Sequence, residues 1–111
     1  MQLSIQDQME RRENRRIPIA IETSLHYGSI LLLNCNTRDL SLDGVFVETG
    51  GEVLPHDAFV DVALVVLRDG EIRRPRLPAR VVRVQLDGLG LIFRYPDYNG
   101  YTALVDLVYA G

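Results

Sequence analysis

The sequence predicts an all-β fold: a six-stranded antiparallel barrel with one short α-helix at its C-terminal end. Three observations predict it. Six short apolar runs follow one another, the first alternating with period two. Turn dipeptides separate them, above all Asp69-Gly70. Helical spacing sets in only after Pro96.

From Ile19 to Tyr27 the residues Ile19, Ile21, Leu25 and Tyr27 alternate with Ala20, Glu22, Ser24 and His26, the mark of a half-buried strand. Gly28-Ser29 turns the chain into a second run, Ile30 to Cys35, and a third, Gly44 to Thr49, is closed by Gly50-Gly51. Phe59 to Leu67 is rich in β-branched residues and ends at Asp69-Gly70, which suits a type I′ hairpin because both central residues need positive φ. A fifth strand over Leu77 to Val84 follows Pro75 and includes Pro78, residues that favour a strand entry or edge over a central ladder. Asp87-Gly88 repeats the turn signal before a sixth strand, Leu89 to Arg94.

Beyond Pro96, Tyr101, Leu104, Val105 and Val108 fall at helical intervals, with Asp97 as N-cap and Gly111 as stop. Such a helix would cover an open end of the barrel. Tyr98, Tyr101 and Tyr109 cluster there, as core packing or as a partner surface.

The 111 residues fit one domain: a flexible segment over 1–10 and a folded unit over 11–111. Hydrophobic content of 47% against 24% charged residues argues against wholesale disorder. A net charge of −3 disfavours general attraction to DNA, RNA or anionic membrane. All twelve cations are arginine, whose planar fork bonds an anion bidentately where lysine cannot. One cysteine, Cys35, and two distant histidines, His26 and His56, give no metal-ligand spacing. No apolar run reaches membrane-spanning length and the N-terminus lacks a signal-peptide core, so a cytoplasmic protein without membrane insertion is expected.

Two segments could carry chemistry. Arg11 to Arg16 (RRENRR) sets four arginines against one glutamate, a local charge of +3 in an acidic chain. Pro18 disfavours helix at Ile17, so this arm enters the first strand extended. It is either a solvated terminus or an anion clamp, since guanidinium groups bond phosphate and pair with O6 and N7 of guanine. The second segment, Arg38 to Glu48, holds a turn from Asp39 to Gly44. Asp39 and Ser41 suit a turn and Gly44 permits positive φ or a close backbone approach. The segment is either an ordinary turn or a base pocket. In the second case Asp39 accepts from N1 and N2 of guanine, Ser41 bonds base or phosphate, and Gly44 leaves room for the ring.

Taken together, Arg12-x-x-x-Arg16 before Ile17-Pro18, then Asp39-x-Ser41-x-x-Gly44, resembles the signature of the PilZ domain family. Gly88 to Phe93 (GLGLIF) and the closing helix also sit where that family has its last strand and helix. The resemblance implies a PilZ-type split barrel over residues 11–111 that binds cyclic di-GMP without catalysis and without cofactor or metal. It implies that Arg12 and Arg16 bind phosphate and the guanine Hoogsteen edge, and that Asp39, Ser41 and Gly44 form the base pocket. Arg11 precedes the motif where the family sets whether one ligand or a stacked pair is bound. Arg38 and Arg83 are further candidates; Arg83, if it shares a strand face with Leu77, Ala79 and Val81, either stacks on a base or is a plain surface charge.

The implied role is a receptor whose arm orders around its ligand and signals to a partner protein in motility, biofilm or exopolysaccharide control. A PilZ-like scaffold that binds only proteins is the alternative, although such members typically lack the motif arginines. An enzyme would need Ser41 to meet His26 or His56 by chance, and no catalytic motif supports it. An OB- or SH3-like nucleic-acid barrel would want a basic face with exposed aromatics, against the acidic balance and the absence of tryptophan.

Overall fold

A computed structural model of the chain describes residues 15–94 and 97–110. Its strands are β1 (Ile17–Pro18), β2 (Glu22–Tyr27), β3 (Ile30–Leu40), β4 (Gly44–Glu48), β5 (Phe59–Leu64), β6 (Val66–Arg68), β7 (Glu71–Arg73), β8 (Arg76–Val84) and β9 (Gly88–Phe93). Helix α1 (Tyr98–Val105) continues into a π-helical turn, Asp106–Ala110. Strands β2, β5, β8, β9, β4 and β3 pair antiparallel in that order, and β3 pairs again with β2. The expected six-stranded barrel is therefore closed, which removes its free edges. β1 adds two residues beside β3, and β6 with β7 forms a hairpin apart from the barrel.

The core follows from alternation. Val45 and Val47, Val60, Val62 and Leu64, Leu77, Ala79 and Val81, and Leu89 and Leu91 point inward and pack with Leu104 and Val108 from the C-terminal segment. Two inward threonines are satisfied locally. Thr37 Oγ1 donates to Ile19 O (2.5 Å) and accepts from Ile21 N (2.9 Å), while Thr23 Oγ1 donates to Ile21 O (2.7 Å). These bonds tie the irregular stretch between β1 and β2 to β3.

Several elements differ from expectation. The second run does not stop at Cys35: β3 continues to Leu40, so Asp39 lies on a strand and the turn proper is Ser41 to Asp43. Phe59 to Leu67 divides at Val65, whose N–H bonds Glu22 O (2.9 Å) in register with the β2–β5 ladder before the chain passes into β6. Asp69 and Gly70 do take positive φ, 52° and 78°, but they close the small β6–β7 hairpin, while the barrel pairing of fourth and fifth strands is made by β5 and β8. Asp87 and Gly88 have no positive φ; a bond from Gln85 N to Gly88 O (2.9 Å) closes that turn.

Pro78 lies near the entry of β8, a strand with a neighbour on each side, so of the edge or entry expected it is the entry that holds. Its carbonyl accepts from Arg94 N (2.8 Å), beyond the last paired residue of β9, so its missing N–H faces the end of that ladder. Helix α1 starts as expected, with Asp97 Oδ1 accepting from Gly100 N (2.7 Å). Its apolar contact is narrower than the spacing suggested: Leu104 and Val108 are buried, whereas Tyr98, Tyr101 and Tyr109 are exposed and so do not fill the core. The segment 1–10 and Gly111 lie outside the described residues.

Two register shifts shape the outer surface. One falls at Arg38 between Thr37 and Asp39, the other at Val82 between Val81 and Arg83. Each re-aims the side chains beyond it.

Candidate functional site

The turn from β3 to β4 is organised by a buried hydroxyl. Ser41 Oγ accepts from Asp43 N and Gly44 N, both at 3.1 Å, and Ser41 N donates to Gly44 O (2.9 Å). Ser41 is fully buried, so its hydroxyl holds the loop closed. Asp43 O accepts from Phe93 N (2.8 Å), which fastens the same turn to the end of β9. Gly44 does not need positive φ; what it needs is space. A Cβ there would lie 2.1 Å from Leu91 O, a backbone atom across the β4–β9 ladder.

Arg16 reaches this turn because β1 runs beside β3, with Ile17 opposite Leu40 and Pro18 opposite Asp39. Arg16 Nε donates to Asp39 Oδ1 (3.0 Å) and its Nη1 to Ser41 Oγ (3.1 Å). The structure thus brings together one arginine of the first motif and the three named residues of the second, Asp39, Ser41 and Gly44. Arg11 and Arg12 lie outside the described residues.

These residues border an open cleft of about 560 Å³ on the outer wall of the barrel. Gly44 and Gly90 leave its floor bare, Phe46 and Ile92 add apolar surface, and Arg16, Asp39, Asp43 and Arg83 supply charge. The shift at Val82 explains Arg83: it does not continue the inward face of Leu77, Ala79 and Val81 but stands opposite Gly90 on the outer wall, exposed. The cleft therefore offers two guanidinium forks, two carboxylates and an apolar strip, a set suited to a flat ligand whose edges carry both hydrogen-bond donors and acceptors.

Arg38 is not part of that lining. Its Nη2 donates to Asp87 Oδ2 (2.5 Å) and Glu48 Oε2 (3.3 Å), and its guanidinium lies 4.3 Å from the centroid of the Phe46 ring. The bond from Arg38, partly opposed by desolvation, holds the Asp87 carboxyl below its ordinary range, and the same bond raises Arg38 above its own. Arg38 thus backs Phe46, and Gly88 makes room for that ring: a Cβ on Gly88 would meet Phe46 Cε1 at 2.6 Å.

Sequence reasoning missed Asp43, Phe46, Gly90 and Ile92. A signal was present in the alternation of β9, where glycines at 88 and 90 occupy the outward positions between inward Leu89 and Leu91.

The histidines stand apart from Ser41. His26 Nε2 is 3.4 Å from Ser24 Oγ, and His56 bonds Val82 O and Asp57. Among the described residues no group of three His, Cys, Asp or Glu could hold a metal ion, and no helix is long and apolar enough to cross a membrane.

Comparison with known proteins gives a consistent picture. The PilZ domain model matches residues 10–110. The crystal structure of the PilZ domain of CeSA from a cellulose synthesizing bacterium superposes with a TM-score of 0.68 at 28% identity, covering 86% of this chain and 95% of that one. The Bacillus subtilis inhibitor of motility, MotI/DgrA, superposes with a TM-score of 0.72 at 15% identity, covering 90% of this chain and 50% of that one, and so shares the fold. None of the curated proteins matches this chain.

Proposed function

This chain belongs to the PilZ domain family, and from that premise we propose that it is a non-enzymatic, cytoplasmic receptor for cyclic di-GMP that signals to a partner protein. The observation that carries the reading is the convergence of Arg16 on Asp39 and Ser41 at the rim of a cleft floored by Gly44 and Gly90.

In this reading a guanine lies on the bare floor beside Phe46. Asp39 keeps one carboxylate oxygen for Arg16 and offers the other to the N1 and N2 donors of the base. Arg16 presents its remaining N–H groups to the Hoogsteen edge or a phosphate, and Arg12, with Arg11 before it, closes over the ligand from the arm. Arg83 faces the base or phosphate from the opposite wall. Ser41 acts indirectly, by holding the turn. Arg38 backs Phe46 rather than touching ligand.

Binding fixes the arm from about Glu10 to Ile17 over the cleft. Ordering backbone costs roughly 1 kcal/mol per residue, which the arginine contacts must exceed. The docked arm changes the surface that a partner meets, and this is the signal. The structural neighbours, one a domain from a cellulose synthesizing bacterium and the other an inhibitor of motility, support an output in exopolysaccharide, biofilm or motility control.

Titration calorimetry with cyclic di-GMP, GTP and cyclic di-AMP tests the reading. Saturable binding of cyclic di-GMP in preference to both others is expected. Absence of heat and of binding with all three would favour the scaffold that contacts proteins alone.

A further inference from the structure

A second cleft, of about 340 Å³, lies between the β6–β7 hairpin and the C-terminal helix and shares no lining residue with the first. Arg68 and Arg73 reach it from the hairpin, Arg74 from the link to β8, and Asp106 from the π-helical turn. Three guanidiniums against one carboxylate leave a local charge of +2 in a chain of −3. Val66, Pro75, Ala103 and Leu107 give part of the lining an apolar character.

The arginines here are weakly engaged. Arg68 Nη1 stands 3.4 Å from Asp106 Oδ2, and Arg73 Nη2 stands 3.6 Å from Glu71 Oε2. Both exceed the roughly 2.7–2.9 Å of a strong charge-assisted bond. Arg74 makes no ion pair with a described residue. The hairpin joins the barrel core only through half-buried Val66, so packing does not require three cations at this place.

We propose that this cleft is a binding site for a small organic phosphate. The charge of a phosphate dianion matches the local excess of +2, and guanidinium forks supply N–H donors for each of its terminal oxygens. The volume falls at the lower end of the roughly 300–1,000 Å³ of small-molecule sites, and the apolar part of the lining gives the body of such a ligand a surface that bare phosphate would leave uncovered. Asp106 then acts as a gate: it shares Arg68 with the incoming anion and opposes it electrostatically. The inference does not rest on cyclic di-GMP recognition, because the two clefts have separate linings.

The test is an amide chemical-shift titration of the full chain with phenyl phosphate, inorganic phosphate and benzoate at constant ionic strength, on the unmodified protein and on Arg16→Ala. Phenyl phosphate is expected to give saturable shifts around Arg73, Arg74, Asp106 and Leu107, tighter than either other anion and unchanged by Arg16→Ala. The double variant Arg73→Gln/Arg74→Gln should weaken it roughly tenfold, the factor that two exposed charge contacts carry together. Asp106→Asn should tighten it about threefold, since one opposing exposed charge is removed. Equal, unsaturable shifts with all three anions would mean an adventitious ion only and would overturn the proposal. So would benzoate binding as tightly as phenyl phosphate, or indifference to the arginine substitutions.

Discussion

Arg16 and Asp39, 23 positions apart in the chain, are joined Nε to Oδ1 at 3.0 Å. Their side chains remain 48% and 31% exposed, so the pair contributes little to stability by itself. Its consequence is positional. One arginine of the arm, Arg16, is joined to the turn through both Asp39 and Ser41.

Ser41→Ala removes a fully buried hydroxyl that accepts from Asp43 N and Gly44 N. Two backbone donors lose a partner inside a turn packed against β9. The expected loss is about 1–3 kcal/mol in urea denaturation. A loss below about 0.5 kcal/mol, the range of an ordinary surface change, would show that the hydroxyl does not hold this loop.

Gly44→Ala places a methyl group 2.1 Å from Leu91 O. A backbone carbonyl inside a ladder cannot rotate away, so β4 and β9 must separate locally. Destabilisation of about 1–3 kcal/mol or more is expected, together with faster amide exchange at Phe46 and Ile92. Retention of full stability would mean that the close approach is not required.

Gly90→Val tests the cleft instead of the fold. A Cβ at this position stands 3.0 Å from Arg83 Cβ, a tight contact with an atom fixed to the backbone that the bulge at Val82 must relieve by a few tenths of an ångström. A β-branched residue also suits a strand. The melting temperature is expected to stay within a few degrees, equivalent to less than about 1 kcal/mol for a domain of this size. Cyclic di-GMP affinity, read by calorimetry, should fall at least about tenfold as the floor fills. Unchanged affinity would place the ligand elsewhere.

How much of this was legible in the sequence depended on range. The barrel strands declare themselves through local alternation, which Ile21 to Leu25 illustrates, whereas the equally legible Asp69-Gly70 turn closes a hairpin outside the barrel. Asp39 and Leu40 were hidden as strand residues because the bulge at Arg38 breaks the alternation where β3 turns polar. Phe46 looks like core in GVFVE, yet it faces outward and is covered by Arg38 and the bare edge of Gly88, contacts that join residues far apart in the chain. Counting twos through β8 would put Arg83 on the face of Leu77, Ala79 and Val81, and the extra residue at Val82 reverses it. Motif spacing singled out Arg16, Asp39, Ser41 and Gly44, which the fold brings together. The opposite wall, built by Arg83, Gly90 and Ile92, needed the closure of the barrel.

The Arg38–Asp87 pair predicts a pH dependence. Arg38 holds the folded Asp87 carboxyl below its ordinary 3.8. The folded value is depressed, so the contribution is present above the unfolded value and is lost as pH falls through the folded one. A carboxyl NMR titration should find the Asp87 midpoint below 3.8 in the unmodified chain and near it in Arg38→Gln. The melting-temperature gap between the two should narrow below about pH 4, leaving the pH-independent part due to Phe46. A gap that widens on acidification would contradict this account of the pair.

The central claim is that cyclic di-GMP is held where Arg16 meets Asp39 and Ser41. Its most direct test is calorimetric titration of the unmodified chain beside Arg16→Ala, with thermal melts to confirm that both are folded. Binding by the unmodified chain, weakened at least about thirtyfold in the variant, is expected, which is the lower end of the cost of truncating a charge partner that a ligand buries. Equal affinity in the two folded proteins would contradict it.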